Sequence, residues 1–471
     1  MNHRAIIYFL GLFIFPISFL SFVNILYSIY FDYSLSIDSY VFTLIITLIT
    51  GSALVVIGRK SIKKINFYDQ IILIVLVYIT CSFFISLPYY LSIYQITFVN
   101  ALFESFSGIT STGFTIFNNI KYLDPTLILW RSSSQWIGGF YFLVFLIIIF
   151  TNKQYNFKLC HISYTGNIGS FSSENIKKIL VQLLIIYSLI SLFIFILLNI
   201  GGVRLFNSLN LSMTIISNGG FLPTNSLNQI INDKNSVYLI FSLFISILNI
   251  FFFFNLLSKR KIYSHHQEDL ALIIFISLLS IITIFTVSNF GYDELIINIL
   301  SSVANSGITI SDNVGRMGLF FLILTLIGGS VVSNSSGVKF IRVYILFKNA
   351  AAEIIKLVRP NNIFNNSIFY SDKKLDNQII SLSFLIFISF FISIFILTSL
   401  LVLDEINFEN AFKLSILTIT NTTNSELHGL DNINFSNLLI NTKIFIIIFM
   451  IIGKIELISI FILIKKLIYK N

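Results

Sequence analysis

Charge is what this 471-residue sequence has least of: 11% of its residues are Asp, Glu, Lys or Arg, against about 25% in a soluble domain. With 56% hydrophobic residues and a mean hydropathy of +0.89, a water-soluble fold is excluded, because no core of this size could hide so many apolar segments. Cysteine is almost lacking. Cys81 lies in an apolar run and Cys160 in a basic connection, so no disulfide is expected. The five histidines offer no metal-ligand spacing, and adjacent His265 and His266 read as solvated residues of a charged linker. No Gly-rich nucleotide loop follows a strand, so no cofactor is expected in this chain. No cluster of His, Asp or Glu within the spans points to a membrane enzyme.

The few charges are sorted. The formal charge is +9, and its cations collect in short connections: Arg59, Lys60, Lys63 and Lys64; Lys153 and Lys158; Lys259, Arg260 and Lys261; Lys373 and Lys374; Lys465, Lys466 and Lys470. These fall on alternate sides of successive apolar spans, as the positive-inside rule requires. Asp32, Asp38, Asp124, Asp233, Asp293, Glu294, Asp404, Glu405 and Glu409 favour the other side. The basic balance therefore reports topology, with both termini cytoplasmic, and not nucleic-acid binding. A cation arriving from the acidic side meets a favourable field. The first span, about 5–31, is too long for a signal peptide and lacks a small-residue cleavage site, so it is read as a membrane helix.

Ten long spans are expected, near 5–31, 39–57, 68–88, 127–151, 174–200, 236–257, 269–290, 316–347, 378–403 and 440–468, each close to the roughly 20 residues a bilayer demands. After the first pair, a repeating order appears: long span, short amphipathic segment, polar turn, long span. The short segments are TFVNALFESFSGI (97–109), LFNSLNLSMTIIS (205–217), DELIINILSSVAN (293–305) and NFENAFKLSILTI (407–419). Thirteen helical residues rise about 20 Å, too little to cross about 30 Å of hydrocarbon. Each segment is expected to dip in and return. Non-helical backbone at membrane depth survives only packed in protein or lining water, which four dips around one axis satisfy together. Asp293, Glu294, Glu405 and Glu409 suit helix N-termini, leaving the negative C-terminal ends to face a central cation.

Each short segment runs into a polar turn: TSTGF (110–114), SNGGF (217–221), NSGIT (305–309) and TNTTN (420–424). Their anchors, Gly113, Gly220, Gly307 and Thr423, recur about a hundred residues apart, an internal repeat by architecture. A dehydrated cation needs carbonyl and hydroxyl oxygens in place of water, and glycine turns carbonyls inward without Cβ strain. One such loop is an ordinary turn; four at matching places are not. The candidate filter residues are Thr110, Ser111, Thr112 and Gly113; Ser217, Asn218, Gly219 and Gly220; Asn305, Ser306 and Gly307; and Asn421, Thr422 and Thr423. K⁺ is placed at the level of Thr112, Asn218, Asn305 and Thr422.

ESFSGITSTGFT (104–115), WRSSSQWIGG (130–139), GGSVVSNSSGVKFIR (328–342), LVRPN (357–361) and IIGKIEL (451–457) resemble landmarks of the TrkH/KtrB family of potassium transporters. That resemblance implies an all-α integral membrane fold of four pseudo-symmetric helix, pore-loop, helix repeats around a central pore, plus two extra N-terminal helices. The boundaries would be 1–66 for the leading pair, then 67–152, 173–258, 268–348 and 377–471 for the repeats. It implies K⁺ uptake across a bacterial plasma membrane, a homodimer, and a cytoplasmic nucleotide-binding partner of the TrkA/KtrA type. Where the family carries the fourth filter glycine, this chain has Thr423, which is β-branched and resists positive φ. A Na⁺-permeable or poorly selective relative is therefore the runner-up.

The family's third repeat has a broken second helix that gates the pore. Here Gly328, Gly329, Ser335, Ser336 and Gly337 interrupt the span, with Val331 and Val332 where relatives often carry smaller residues. Arg342 falls on the family's arginine beneath the filter; an intramembrane cation is costly and usually functional. Lys339 is an ambiguous second cation. Glu104 is expected to brace the first turn; Lys454 and Glu456 are expected to pair, with each other or between helices. Trp130, Arg131 and Trp136 are expected to anchor a helix at the membrane interface, and Phe251–Phe254 to face lipid or cover the core. A secondary transporter with broken helices remains the rival transporter class.

Overall fold

The computed structural model describes residues 2–33, 36–59, 65–150, 173–232, 234–257, 266–287, 291–310, 317–358, 377–430 and 433–455. Most of the basic connections, Cys160, His265, Asp233 and Glu456 lie outside these. Among the described residues every regular element is helical. In chain order they are α1 (His3–Tyr30), α2 (Ile37–Gly58), α3 (Phe67–Ser92), α4 (Phe98–Ile109), α5 (Pro125–Phe150), α6 (Ser173–Ile200), α7 (Leu205–Ser217), α8 (Ser236–Ile247), α9 (Ile250–Leu257), α10 (Gln267–Thr286), α11 (Tyr292–Ala304), α12 (Gly318–Ile327), α13 (Phe340–Val358), α14 (Asn377–Leu403), α15 (Phe408–Ile419) and α16 (Ile440–Lys454).

Among the described residues seven helices are long and apolar enough to cross a membrane: α1, α2, α3, α5, α6, α10 and α14. Three of the ten expected spans need comment. Span 316–347 is interrupted, as expected, between α12 and α13. Span 440–468 is described only as far as residue 455. Span 236–257 is not one helix: it breaks between α8 and α9, where Leu248 is extended with ψ 161°. Neither Pro nor Gly stands at that break, so periodicity gave no sign of it; its cause is tertiary and is taken up below.

The polarity is inside-out. Phe19, Ile49, Leu189, Phe285 and Phe395 are exposed, while Ser, Thr, Asn and even Arg131 and Arg342 are buried. That is the distribution of a chain whose outer face meets lipid and whose interior carries the polar work. The leading pair α1 and α2 packs through small residues: a Cβ on Gly11 would lie 2.8 Å from the Gly51 carbonyl oxygen, and Ser18 Oγ donates to Thr47 Oγ1 at 2.8 Å. Tyr141 of α5 donates its hydroxyl to the Phe13 carbonyl of α1.

The four short helices α4, α7, α11 and α15 have 12, 13, 13 and 12 residues, about 20 Å at most. Thr97 caps α4 by accepting from Asn100 N at 3.3 Å. Glu294 reaches back to Gly291 N at 3.4 Å and closes the start of α11. Each short helix packs between the helices that precede and follow it: α4 between α3 and α5, α7 between α6 and α8, α11 between α10 and α12, α15 between α14 and α16. Each also touches an outer helix of its neighbour: α7 meets α5, α11 meets α8, α15 meets α12, and α4 meets α16. Four such contacts taken in turn close a ring.

Candidate functional site

All four short helices stop by the same device. Ser111, Asn218, Asn305 and Asn421 adopt left-handed backbone, with φ of 55°, 54°, 64° and 47°. Their N–H groups return to the helix at Gly108 O, Ile215 O, Ser302 O and Thr418 O, 2.9–3.2 Å away. The following N–H groups, of Thr112, Gly219, Ser306 and Thr422, reach back to Ser107 O, Thr214 O, Ser301 O and Leu417 O at 2.9, 2.8, 3.0 and 2.9 Å. Asn tolerates the left-handed region because its short polar side chain bonds locally, and such a cap satisfies the last carbonyls of a helix. Two residues past each cap stands the anchor. Gly113, Gly220 and Gly307 have φ of 84°, 72° and 64°; Thr423 is not among the positive-φ residues. Its β-branched side chain disfavours that region.

The anchors meet in one place. A Cβ on Gly113 would fall on Gly219 O of the second turn, one on Gly220 on Ser306 O of the third, and one on Gly307 would lie 2.5 Å from Thr423 O of the fourth. Thr423 closes the circle. A Cβ on Gly113 would also fall on its hydroxyl, and one on Gly220, across the ring, would lie 2.7 Å from both its Oγ1 and its Cβ. The Thr423 side chain thus points into the middle of the ring. Side chains tie the turns together in the same order: Asn305 Nδ2 donates to Thr422 Oγ1 at 3.2 Å, and Asn421 Nδ2 to Thr112 Oγ1 at 3.0 Å.

Some predicted hydroxyls are spent locally. Thr110 Oγ1 donates to Phe106 O at 2.6 Å and Ser217 Oγ to Met213 O at 2.9 Å, while Ser306 Oγ lies 3.1 Å from Ser301 Oγ. Other oxygens have no protein partner: Ser111 Oγ, Asn218 Oδ1, Asn305 Oδ1 and Thr423 Oγ1, one from each turn. Buried oxygens in that condition call for water or a cation. Asn218 Nδ2 is the one side-chain nitrogen donor of these turns in the same condition; with four helix C-termini and their partial negative charge at the same point, the arrangement favours a desolvated cation.

The turns are braced from behind. Glu104 Oε1 and Oε2 accept from Arg131 Nε at 2.8 Å, Thr115 Oγ1 at 3.1 Å and Ile116 N at 2.9 Å. Arg131 also lies 4.2 Å over the Phe221 ring of the second turn. The expected interfacial anchor is therefore corrected: Arg131 is 1% exposed and Trp130 is buried, donating Nε1 to Ile85 O at 3.0 Å. Trp136 is part-buried against Tyr187. The pattern in WRSSSQ that misled is a cation beside tryptophan, which marks interfaces as readily as buried ion pairs. Gln135, in the same run, holds the second turn at both ends, donating Nε2 to Gly219 O at 2.5 Å and accepting from Phe221 N at 3.2 Å. Its sequence signal was an amide inside an apolar span.

The segment 328–339 packs against the ring. Gly328 and Gly337 have φ of 67° and 78°, and Lys339 has φ of 77°. Ser335 Oγ accepts from Gly329 N at 2.9 Å. Asn334 Nδ2 donates to Ile216 O, at the end of α7, at 2.6 Å, and Ser336 Oγ to Asn421 Oδ1 at 3.3 Å. The segment thus touches the second and fourth turns. Val331 and Val332 are buried. Lys339 folds back into it: Nζ donates to Ser330 O at 3.3 Å, Ser333 O at 3.2 Å and Ser335 O, so its ammonium holds carbonyls inward. Arg342 is 3% exposed, with Nη1 donating to Val338 O at 3.2 Å. Lys454 is buried with Nζ 4.6 Å over the Phe142 ring. Phe251 and Phe252 are buried, on the core side of the expected alternative.

No family model matches the chain. An uncharacterized cation transporter of Methanocaldococcus jannaschii is 26% identical over 429 residues, 87% of this chain and 85% of that protein. The Trk system potassium uptake protein TrkH of Halomonas elongata is 24% identical over 380 residues, 77% of this chain and 78% of that one. The crystal structure of the potassium transporter TrkH from Vibrio parahaemolyticus superposes with a TM-score of 0.87 over 98% of both chains at 21% identity, a likeness of fold.

Proposed function

We propose that this chain, which belongs to the TrkH/KtrB family, takes up K⁺ through the ring formed by its four polar turns. It is a multi-pass membrane transporter and makes no covalent bond to what it carries. The observation that carries the reading is the meeting of four helix ends capped alike, each turn contributing at least one buried oxygen without a protein partner. Carbonyls and hydroxyls at 110–113, 217–220, 305–307 and 421–423 replace the hydration shell, with the ion at the level of Thr112, Asn218, Asn305 and Thr422. The chain is read as four helix, pore-loop, helix repeats behind the leading pair.

Segment 328–337 serves as the gate: its bonds to the end of α7 and to the fourth turn support that reading, and Arg342 would add a cation to the route. Opening answers a cytoplasmic nucleotide-binding partner, and the working unit is a homodimer with both termini in the cytoplasm. The test is growth of a K⁺-uptake-deficient bacterium at low K⁺. The parent chain should rescue it and Gly113→Asp should not; rescue by Gly113→Asp would exclude a filter at that glycine.

One observation favours a second reading. The Thr423 side chain stands inside the ring, and with negative φ its carbonyl is turned differently from those of the three glycines. A poorly selective or Na⁺-permeable pore follows from that. Reversal potentials in opposed K⁺ and Na⁺ gradients decide: Na⁺ permeability equal to or above that of K⁺ would replace K⁺ uptake with this reading.

A further inference from the structure

The interruption between α8 and α9 has little sequence cause beyond Asn249, which caps α9 by accepting from Phe251 N. Sharp breaks occur at Pro, at Gly or Ser pairs, or where another group inserts into the helical ladder, and residues 247–250 read Ile, Leu, Asn, Ile. The third cause applies. Ile247 O accepts from Ser330 N at 3.2 Å, and Ile250 N donates to Val332 O at 3.0 Å. Asn249 N donates to Asp269 Oδ1 at 2.9 Å, and Asn249 Oδ1 accepts from Phe251 N at 3.0 Å. The groups released by the break are taken by the segment proposed as the gate and by the first turn of α10.

Ser330 and Val332 bond the break from a turn that Ser333 N closes on Ser330 O at 3.3 Å, and the Val331 N–H between them faces α10. There it donates to Glu268 Oε1 at 2.9 Å. Asp269, the next residue, is itself fixed: Oδ2 lies 2.9 Å from His266 Nδ1, and His266 Nε2 lies 2.8 Å from Asn255 Nδ2 on α9. Glu268, Asp269, His266, Asn249 and Asn255 are all buried, which corrects the expectation that His266 is solvated. One carboxylate thus binds the loop and its neighbour binds the break, from adjacent positions on one helix.

We propose that Glu268 and Asp269 are positioning residues for transport: they clasp segment 328–337 to the interruption of the preceding repeat and hold it across the pore. The inference rests on that segment being the gate. To leave, the loop must give up two backbone hydrogen bonds and a charge-assisted one, which is roughly twice as strong as a neutral bond. It cannot simply swing, because the 247–250 backbone would then be left unpaired at membrane depth.

The test measures hydrogen exchange and basal K⁺ flux on the full chain in lipid nanodiscs and proteoliposomes. Glu268→Ala removes the acceptor for Val331 N. Ile250→Pro deletes the donor to Val332 O at a first helical position, where proline is tolerated; it carries the test where Glu268→Ala does not accumulate. Both should speed exchange within 328–337 by about 10-fold and raise partner-independent flux by about 5-fold, the scale of one lost buried hydrogen bond. The K⁺ to Na⁺ ratio should stay unchanged. Glu268→Gln, which keeps an acceptor oxygen but not its charge, should fall between the parent and Glu268→Ala. Unchanged exchange in 328–337 in both disrupting variants would overturn the clasp. Faster exchange there with unchanged flux would leave the clasp standing and overturn the segment as a gate.

Discussion

Thr423→Gly is the perturbation with the most to say about the pore. The Thr423 hydroxyl stands where a side chain of Gly113 would be, and its Cβ and Oγ1 come within 2.7 Å of a Cβ position on Gly220. It therefore reaches both a neighbouring turn and the opposite one, and an ion on the axis must displace it. The hydroxyl has no hydrogen-bond partner to release, so the cost is that of leaving a rotamer well, about 0.5–1.5 kcal/mol. At about 1.4 kcal/mol per factor of ten, removing the side chain should raise K⁺ flux by about 2- to 10-fold. Glycine also restores access to positive φ, so the K⁺ to Na⁺ ratio should rise with it. Thr423→Ala, which removes the hydroxyl but not the Cβ, should give part of the flux and none of the selectivity. Rubidium uptake into proteoliposomes, normalised to reconstituted protein, reads the first quantity, and reversal potentials the second. Equal or lower flux in Thr423→Gly, at equal incorporation, would refute the placement of this side chain on the ion's route.

On the proposed route, Arg342→Ala should raise flux by removing a buried cation; unchanged or lower flux at equal expression would speak against a barrier there. Glu104→Ala should cost about 3–5 kcal/mol, the loss expected when one member of a buried ion pair is left charged and alone, and should show as a lower melting temperature in detergent. The double variant Glu104→Leu with Arg131→Met should recover part of that loss, and failure to recover any would mean that Arg131 matters for its stacking on Phe221 more than for its charge. Gln135→Leu should lower K⁺ selectivity without lowering stability to the same degree, since it frees Gly219 O and Phe221 N from their common brace; measured permeability ratios check this.

The short helices were legible because they are local. Residues 97–109, 205–217, 293–305 and 407–419 are too few to span a bilayer, and a Gly, Asn or Thr follows each where the helix must end. The four caps then form as that chemistry suggests, with Ser111, Asn218, Asn305 and Asn421 taking left-handed backbone. The interruption at 328–337 was equally visible, through its three glycines. Three things were not. Arg131 read as an interfacial anchor, because its partner Glu104 lies 27 positions away and no periodicity links them. Lys339 was ambiguous until the loop carbonyls closed around its ammonium. The break after Ile247 left only Asn249, a helix-capping residue type that does cap α9, and one asparagine does not interrupt a helix by itself.

Taken alone, the amino-acid order determined how far each segment can travel through lipid, where its helices stop, and that polar backbone must turn back at membrane depth. Those are properties of neighbouring residues, governed by length, hydropathy and the conformational reach of Gly and Asn. Tertiary structure decided which oxygens face one another, that Thr423 fills the middle of the ring, and that α8 breaks to receive a loop some 80 residues on. These depend on groups brought together across the axis from distant parts of the chain, and the free energy of such a pairing belongs to neither partner's local sequence.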